Sequence, residues 1–256
     1  MGVLNVTPDS FSDGGRFFSP DVAVEHARRM ASEGADILDI GAESTRPYGG
    51  AVAISAEDEM GRLAPVLPAT AALGPPVSID TMKAKVAAWA LGQGAAIVND
   101  VWGLQRDPDM AHVVADHGVP VIVMHNRDAA DPSIDIMADI HAFFSRSLEL
   151  ADRAGIARDA VVLDPGIGFG KTPEQSMTAI ARLAEFKSFG LPLLVGASRK
   201  RFIDTVSPAP TDRRIGGSIA AHLLAVENGA ACVRVHDVAE TVQALKVAAS
   251  LRGAKR

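Results

Sequence analysis

Eight short apolar runs punctuate this chain, and each stops at a polar residue able to do chemistry. They are VLN at Asn5, ILD at Asp39, VSID at Asp80, IVND at Asn99, VIVMH at His125, VVLD at Asp164, LLVGAS at Ser198 and VRVH at His236. Runs rich in β-branched and aliphatic residues read as strands buried on both faces, and intervals long enough to hold a helix imply parallel strands joined by crossovers. Parallel strands all end on one side. Closed into a (β/α)8 TIM barrel, they would ring one mouth with these eight residues, on the face where such barrels carry their active sites. The 256 residues match the roughly 250 typical of one such barrel.

Helix signals fill the intervals. Ser19-Pro20 offers a cap followed by proline in the first turn, with Gly34 as the stop, and Thr172-Pro173-Glu174-Gln175 has the spacing of a capping box ahead of a sixth helix. Further helices are expected over 55–72, 83–93, 108–117, 134–154, 214–228 and 238–251, where apolar residues recur at three- and four-residue spacing. No linker, charge block or low-complexity tract interrupts the alternation, so residues 1–256 read as a single domain. Met1 stands almost inside the first strand, so either the start is truncated or the barrel floor does without an N-terminal cover. Two polar loops after the first two strands, PDSFSDGG over 8–15 and ESTRPYGG over 43–50, end in paired glycines and read as mobile lids.

Composition excludes several partners. A net charge of −6 supplies no general basic field for nucleic acid or an anionic membrane, so an anion must be held by a few local cations. No apolar stretch approaches the ~18 residues of a membrane span, and the start has no signal-like pattern, which predicts a cytoplasmic protein. The single cysteine, Cys232, excludes a disulfide within the chain and reads as a buried thiol in a reducing compartment.

Asp80, Asn99 and Asp164, at the ends of strands three, four and six, can converge over the barrel as acceptors for a flat heterocycle carrying N–H donors. Lys200, just after strand seven, could address a ring carbonyl or nitrogen. The cations form a second group: Arg46 in the second glycine loop, with Arg234 and His236 flanking Val235. Residues two apart in a strand point to one side, so Arg234 and His236 can face one phosphate or pyrophosphate, with Asp237 a competing partner for either. Asn5 can offer an amide oxygen to a companion Mg2+. Ser198-Arg199-Lys200 opens a short helix suited to an anion or carboxylate.

Other motifs fail. Pro165 to Thr172 imitates the end of a P-loop, but proline stands where the first glycine belongs. His112, His117, His125 and Cys232 lack zinc-type spacing, and no serine, histidine and acid arrangement announces a covalent nucleophile. Asp39 and His125 receive no role.

Taken in order, LNVTPDSFSDGG, GAESTRP, SIDT, NDVWG, LDPGIGFGK, GASRK and RVHD make the chain closely resemble the dihydropteroate synthases over essentially its whole length. The resemblance implies condensation of 6-hydroxymethyl-7,8-dihydropterin diphosphate with p-aminobenzoate, giving 7,8-dihydropteroate and pyrophosphate. It implies pterin binding by Asp80, Asn99, Asp164 and Lys200, and diphosphate binding by Asn5, Thr45, Arg46, Arg234 and His236, with Asn5 also contacting Mg2+. Phe11, Thr45, Pro47 and Ser198 correspond to the p-aminobenzoate site, and Asp80, Asp13 and Arg46 become the candidate catalytic groups. C–O cleavage would run ahead of attack, without an enzyme nucleophile, and a homodimer through outer helices is expected. A corrinoid-dependent methyltransferase with the same barrel would not need SFSDGG, STRP, SRK and RVHD together. A catalytically silent pterin-binding paralogue would not need both loops and every polar strand end.

Overall fold

The computed structural model of the chain describes residues 1–7, 19–43 and 54–254. Eight strands appear: β1 (Gly2–Asn5), β2 (Leu38–Gly41), β3 (Val77–Asp80), β4 (Ile97–Asp100), β5 (Val121–Met124), β6 (Val161–Asp164), β7 (Leu194–Val195) and β8 (Cys232–Val233). β1 to β6 form a parallel sheet in sequence order, and β7 and β8 form a parallel pair. Two seams close the ring. Leu163 N–H donates to Pro192 O at 3.0 Å between β6 and β7, and Val3 N–H donates to Val235 O at 3.0 Å between β1 and the end of β8. The result is the expected TIM barrel, a single domain.

The helices are α1 (Pro20–Ser32), α2 (Ala56–Leu63), α3 (Leu67–Ala71), α4 (Ala84–Gly92), α5 (Met110–His117), α6 (Ile136–Ala154), α7 (Pro173–Ala181), α8 (Arg201–Val206), α9 (Ile215–Glu227) and α10 (Val238–Gly253). The capping box forms: Gln175 N–H donates to Thr172 Oγ1 at 3.2 Å and Thr172 N–H to Gln175 Oε1 at 2.9 Å. Ser19 makes no side-chain cap; its carbonyl instead accepts Ala23 N–H at 3.2 Å. The single helix expected over 55–72 is two, α2 and α3, because Pro65 and Pro68 cannot donate to the preceding turn and Pro68 fits only the first turn of a new helix.

Strand parity sorts the interior into two layers. Outward-facing residues such as Leu4, Ile40, Ile79, Val98, Val123, Leu163 and Val235 join the main core beneath the helices. Inward-facing Met1, Ile122 and Leu194, with Ile37, Ile97, Val162 and Cys232 packed against them, fill the lower lumen. Two residues further along the same parity stand Asp39, Asn99, Asp164 and Arg234. The polar residues therefore rest on an apolar plug. His125 breaks this parity, three residues after Ile122, and faces outward to α6, so it does not belong to the expected ring of eight. Asp39 lies fully buried inside the lumen.

Candidate active site

One row of the parallel register places Asn5, Gly41, Asp80 and Asn99 side by side across β1 to β4. Gly41 lets Asp80 stand close, since a Cβ there would sit 3.2 Å from Asp80 Cβ, a tight contact. Arg234 rises from the opposite arc and bridges two carboxylates. Its Nε donates to Asp39 Oδ2 at 2.6 Å and its Nη2 to Asp80 Oδ2 at 2.7 Å, while Asn99 Nδ2 donates to Asp39 Oδ2 at 3.1 Å. Asp39 thus supplies the counterion that no local sequence signal had assigned to it.

The cluster is incomplete on its upper side. Asp80 Oδ1 and Asn99 Oδ1 are buried without a hydrogen-bond partner, an arrangement that costs free energy until donors arrive. Burial pushes the Asp80 carboxyl up to about 7 against the pull of Arg234, with Asp39 adding to the rise. Burial would lower Arg234, but Asp39 and Asp80 together hold it above its ordinary value, so the guanidinium stays charged.

Across the mouth, Asp164 Oδ1 accepts Gly166 N–H at 2.7 Å, and burial raises its carboxyl to about 6. Lys200 Nζ stands 4.0 Å from the centroid of Phe169, a contact that assigns Phe169 to this wall although sequence reasoning had not singled it out. Asp80, Asn99, Asp164 and Lys200 are thereby held around one lumen by β3, β4, β6 and the turn after β7.

A second pole lies where β7 and β8 end. Ser198 Oγ is 2.9 Å from His236 Nδ1 and accepts His236 N–H at 3.2 Å. Burial, then the charges of Arg234, Arg199 and Lys200, lowers His236 to about 3, so the imidazole is neutral within a positive field. Asp237 pairs with Arg199, whose Nε donates to Oδ2 at 3.0 Å, and not with Arg234 or His236 as expected. Arg234 directs its fork to the two lumen carboxylates, which need a counterion. It and His236 therefore do not present one shared set of donors in this state.

Asn5 terminates β1, half-buried, at the level of Asp80. Among the described residues no group of three or more His, Cys, Asp and Glu could hold a metal ion. A hard divalent cation would fit here only with the Asn5 amide oxygen and oxygens from a bound phosphate, a donor set suited to Mg2+. Phe11, Asp13, Thr45, Arg46 and Pro47 lie outside the described residues.

A family model described as pterin binding enzyme matches residues 1–236. The chain belongs to the pterin-binding enzyme family. Its relatives include the dihydropteroate synthase of Bacillus subtilis, 45% identical over 248 residues that cover 96% of this chain and 86% of that one. Among solved structures, the Clostridium difficile dihydropteroate synthase determined in the presence of pteroic acid superposes with a TM-score of 0.93 at 45% identity, covering 98% of this chain and 95% of that one. The Xanthomonas albilineans dihydropteroate synthase in complex with 7,8-dihydropteroate superposes with a TM-score of 0.89 at 41% identity, covering 98% of this chain and 92% of that one. A pterin-binding enzyme needs a flat, acceptor-lined slot, and the Asp80, Asn99 and Asp164 wall has that chemistry.

Proposed function

We propose that this chain is a dihydropteroate synthase: it joins 6-hydroxymethyl-7,8-dihydropterin diphosphate to p-aminobenzoate, giving 7,8-dihydropteroate and pyrophosphate on the way to folate. The observation that carries the reading is the pair of buried, unpartnered acceptors, Asp80 Oδ1 and Asn99 Oδ1, above an apolar plug. A pterin edge supplies N–H donors to such acceptors, and Asp164 and Lys200 address the rest of the ring. As the C–O bond to the diphosphate breaks, positive charge develops on the pterin, and the Asp80 carboxylate stabilises it without covalent attack.

The departing diphosphate is held by His236 and by the positive field around it, to which Arg199 and Lys200 contribute. Asn5 would hold Mg2+, which when bound neutralises phosphate charge. Ser198 is assigned to the p-aminobenzoate carboxylate. Phe11, Asp13, Thr45, Arg46 and Pro47 would complete the site from the two glycine loops, excluding water and aligning the aniline nitrogen.

The same reading makes the protein a cytoplasmic homodimer that binds neither nucleic acid nor membrane. Supporting it are the net charge of −6 and the lone cysteine. No helix among the described residues is long and apolar enough to cross a membrane. A groove of about 410 Å³ between α7, α8 and α9, lined by Met177, Phe202, Val206 and Leu224, offers an apolar face to a second copy. The deciding assay supplies the pterin diphosphate and p-aminobenzoate with and without Mg2+. Pyrophosphate and dihydropteroate should appear together and depend on the cation; methyltetrahydrofolate binding without pyrophosphate release would overturn the reading.

A further inference from the structure

Lys171 ends the LDPGIGFGK segment that imitates a P-loop, yet its side chain is 1% exposed and reaches no phosphate pocket. Its ammonium group donates to Gly166 O at 2.9 Å and Phe169 O at 3.1 Å, and stands 2.6 Å from His125 Nδ1. Three N–H bonds meet three acceptors. His125 is fully buried, with its edge against Phe143 at 4.9 Å between centroids and its Nε2 3.0 Å from Asp139 Oδ2. Arg127 Nη1 donates to that same Asp139 oxygen at 2.9 Å. Burial, then the Lys171 charge, lowers His125 to about 3, so the ring is neutral. A neutral ring that donates from Nε2 to the Asp139 carboxylate leaves Nδ1 as the acceptor Lys171 needs.

The two carbonyls held by Lys171 bracket the turn that shapes the pterin end of the lumen. Gly166 donates its N–H to Asp164, and Phe169 carries the ring against which Lys200 Nζ rests. Gly166 adopts φ +64°, and a Cβ there would lie 1.9 Å from His125 O, so the turn is pressed directly on the strand that supplies the histidine.

We propose that Lys171, oriented by His125, is a positioning residue for the pterin: its ammonium group fixes the Gly166–Phe169 turn so that Asp164 and Lys200 meet the ring in register. The inference rests on the reading that a pterin occupies this lumen. Lys171 itself touches no substrate; it acts through Gly166 and Phe169.

The test compares Lys171→Met, which keeps the length and removes the donors, with His125→Leu and His125→Gln. The glutamine amide can still accept from Lys171 and donate to Asp139. Steady-state kinetics should show Lys171→Met raising the pterin diphosphate KM about tenfold, with the p-aminobenzoate KM within about twofold and kcat little changed. Calorimetry with 6-hydroxymethylpterin should show the same loss of affinity. His125→Leu should give about a threefold effect and His125→Gln less than about twofold, so the histidine pair decides the matter if Lys171→Met fails to fold. Unchanged pterin KM and affinity with only a lower melting temperature, or an equal rise in both KM values, would overturn the proposal. A wild type that forms no dihydropteroate would refute the proposed reaction, while the pterin affinities still decide the positioning role; a wild type that binds no pterin refutes both.

Discussion

Two ionic networks flank the mouth of this barrel, one wholly inside the lumen and one reaching from a buried histidine and lysine to a half-exposed pair, and they are built to opposite ends. In the lumen, Arg234 links Asp39 and Asp80 while Asn99 leans on Asp39. Outside the strands, Lys171 and Arg127 are joined through His125 and Asp139. Each ties a cation to groups distant in sequence, yet Asp80 Oδ1, Asn99 Oδ1 and the nearby Ser78 Oγ lack partners, and no buried side-chain atom of the second network does. A polar network with open valences waits for a ligand, whereas a satisfied one holds shape. The difference separates recognition from scaffolding more sharply than burial alone, since His125 and Lys171 are as deeply buried as Asp39 and Asn99.

The strongest way to break that distinction is to remove each network's arginine. Arg234→Met leaves two carboxylates facing each other in the lumen and should lower stability by about 3–5 kcal/mol in denaturant unfolding, partly relieved by protonation of Asp80. Arg127→Met removes a half-exposed cation from a network that retains Lys171, and should cost about 1 kcal/mol or less. Equal losses from the two variants would mean that the networks are energetically alike.

A second test targets turnover. Asp80→Ala removes an acceptor aimed at the bound ring and should lower kcat about 100-fold at saturating substrates, as well as weakening pterin binding. Normal turnover at saturation would leave Asp80 only a positioning role. Ser147 offers the contrast, a fully buried polar residue of α6 whose hydroxyl donates to Gly103 O at 2.6 Å. Ser147→Ala should lower stability while leaving kcat within about twofold.

Much of the lumen was legible because strand parity is local. Cys232, Arg234 and His236 fall on one face by counting in twos, as do Ile97 and Asn99, or Val162 and Asp164. The same count, applied to His125, would have removed it from the mouth: it stands three residues after Ile122, on the helix-facing side. What parity cannot supply is the partner across a closed barrel. Arg234 and Asp39 are 195 residues apart and meet only because β8 returns to β1, so the carboxylate that had no assigned role proves to be the fixed counterion. Lys171 was hidden for a different reason. Its glycine-rich setting resembles a phosphate loop, and only the backbone shows its amine turned inward to the carbonyls of its own turn.

Protonation separates the two networks most finely. Burial raises Asp164 to about 6 and Asp80 to about 7 in the unliganded protein, while a pterin presenting N–H donors favours the ionised carboxylates. Binding therefore competes with protons, and affinity for 6-hydroxymethylpterin should fall as the pH drops below about 7, losing on the order of 100-fold or more between pH 7 and pH 5 in calorimetry if both carboxylates must ionise. The uncharged ligand matters, because a diphosphate would draw a proton onto His236, which burial and neighbouring cations otherwise hold at about 3. Lys171 titrates in the opposite sense: burial lowers it to about 7, so its amine gains its proton as the pH falls through that value, where the carboxylates are filling with protons too. The acid limb must then originate in the lumen. Asp164→Asn, which cannot titrate, should flatten it; a limb of unchanged slope in both Asp164→Asn and Asp80→Asn would assign the competing proton to a group outside the acceptor wall.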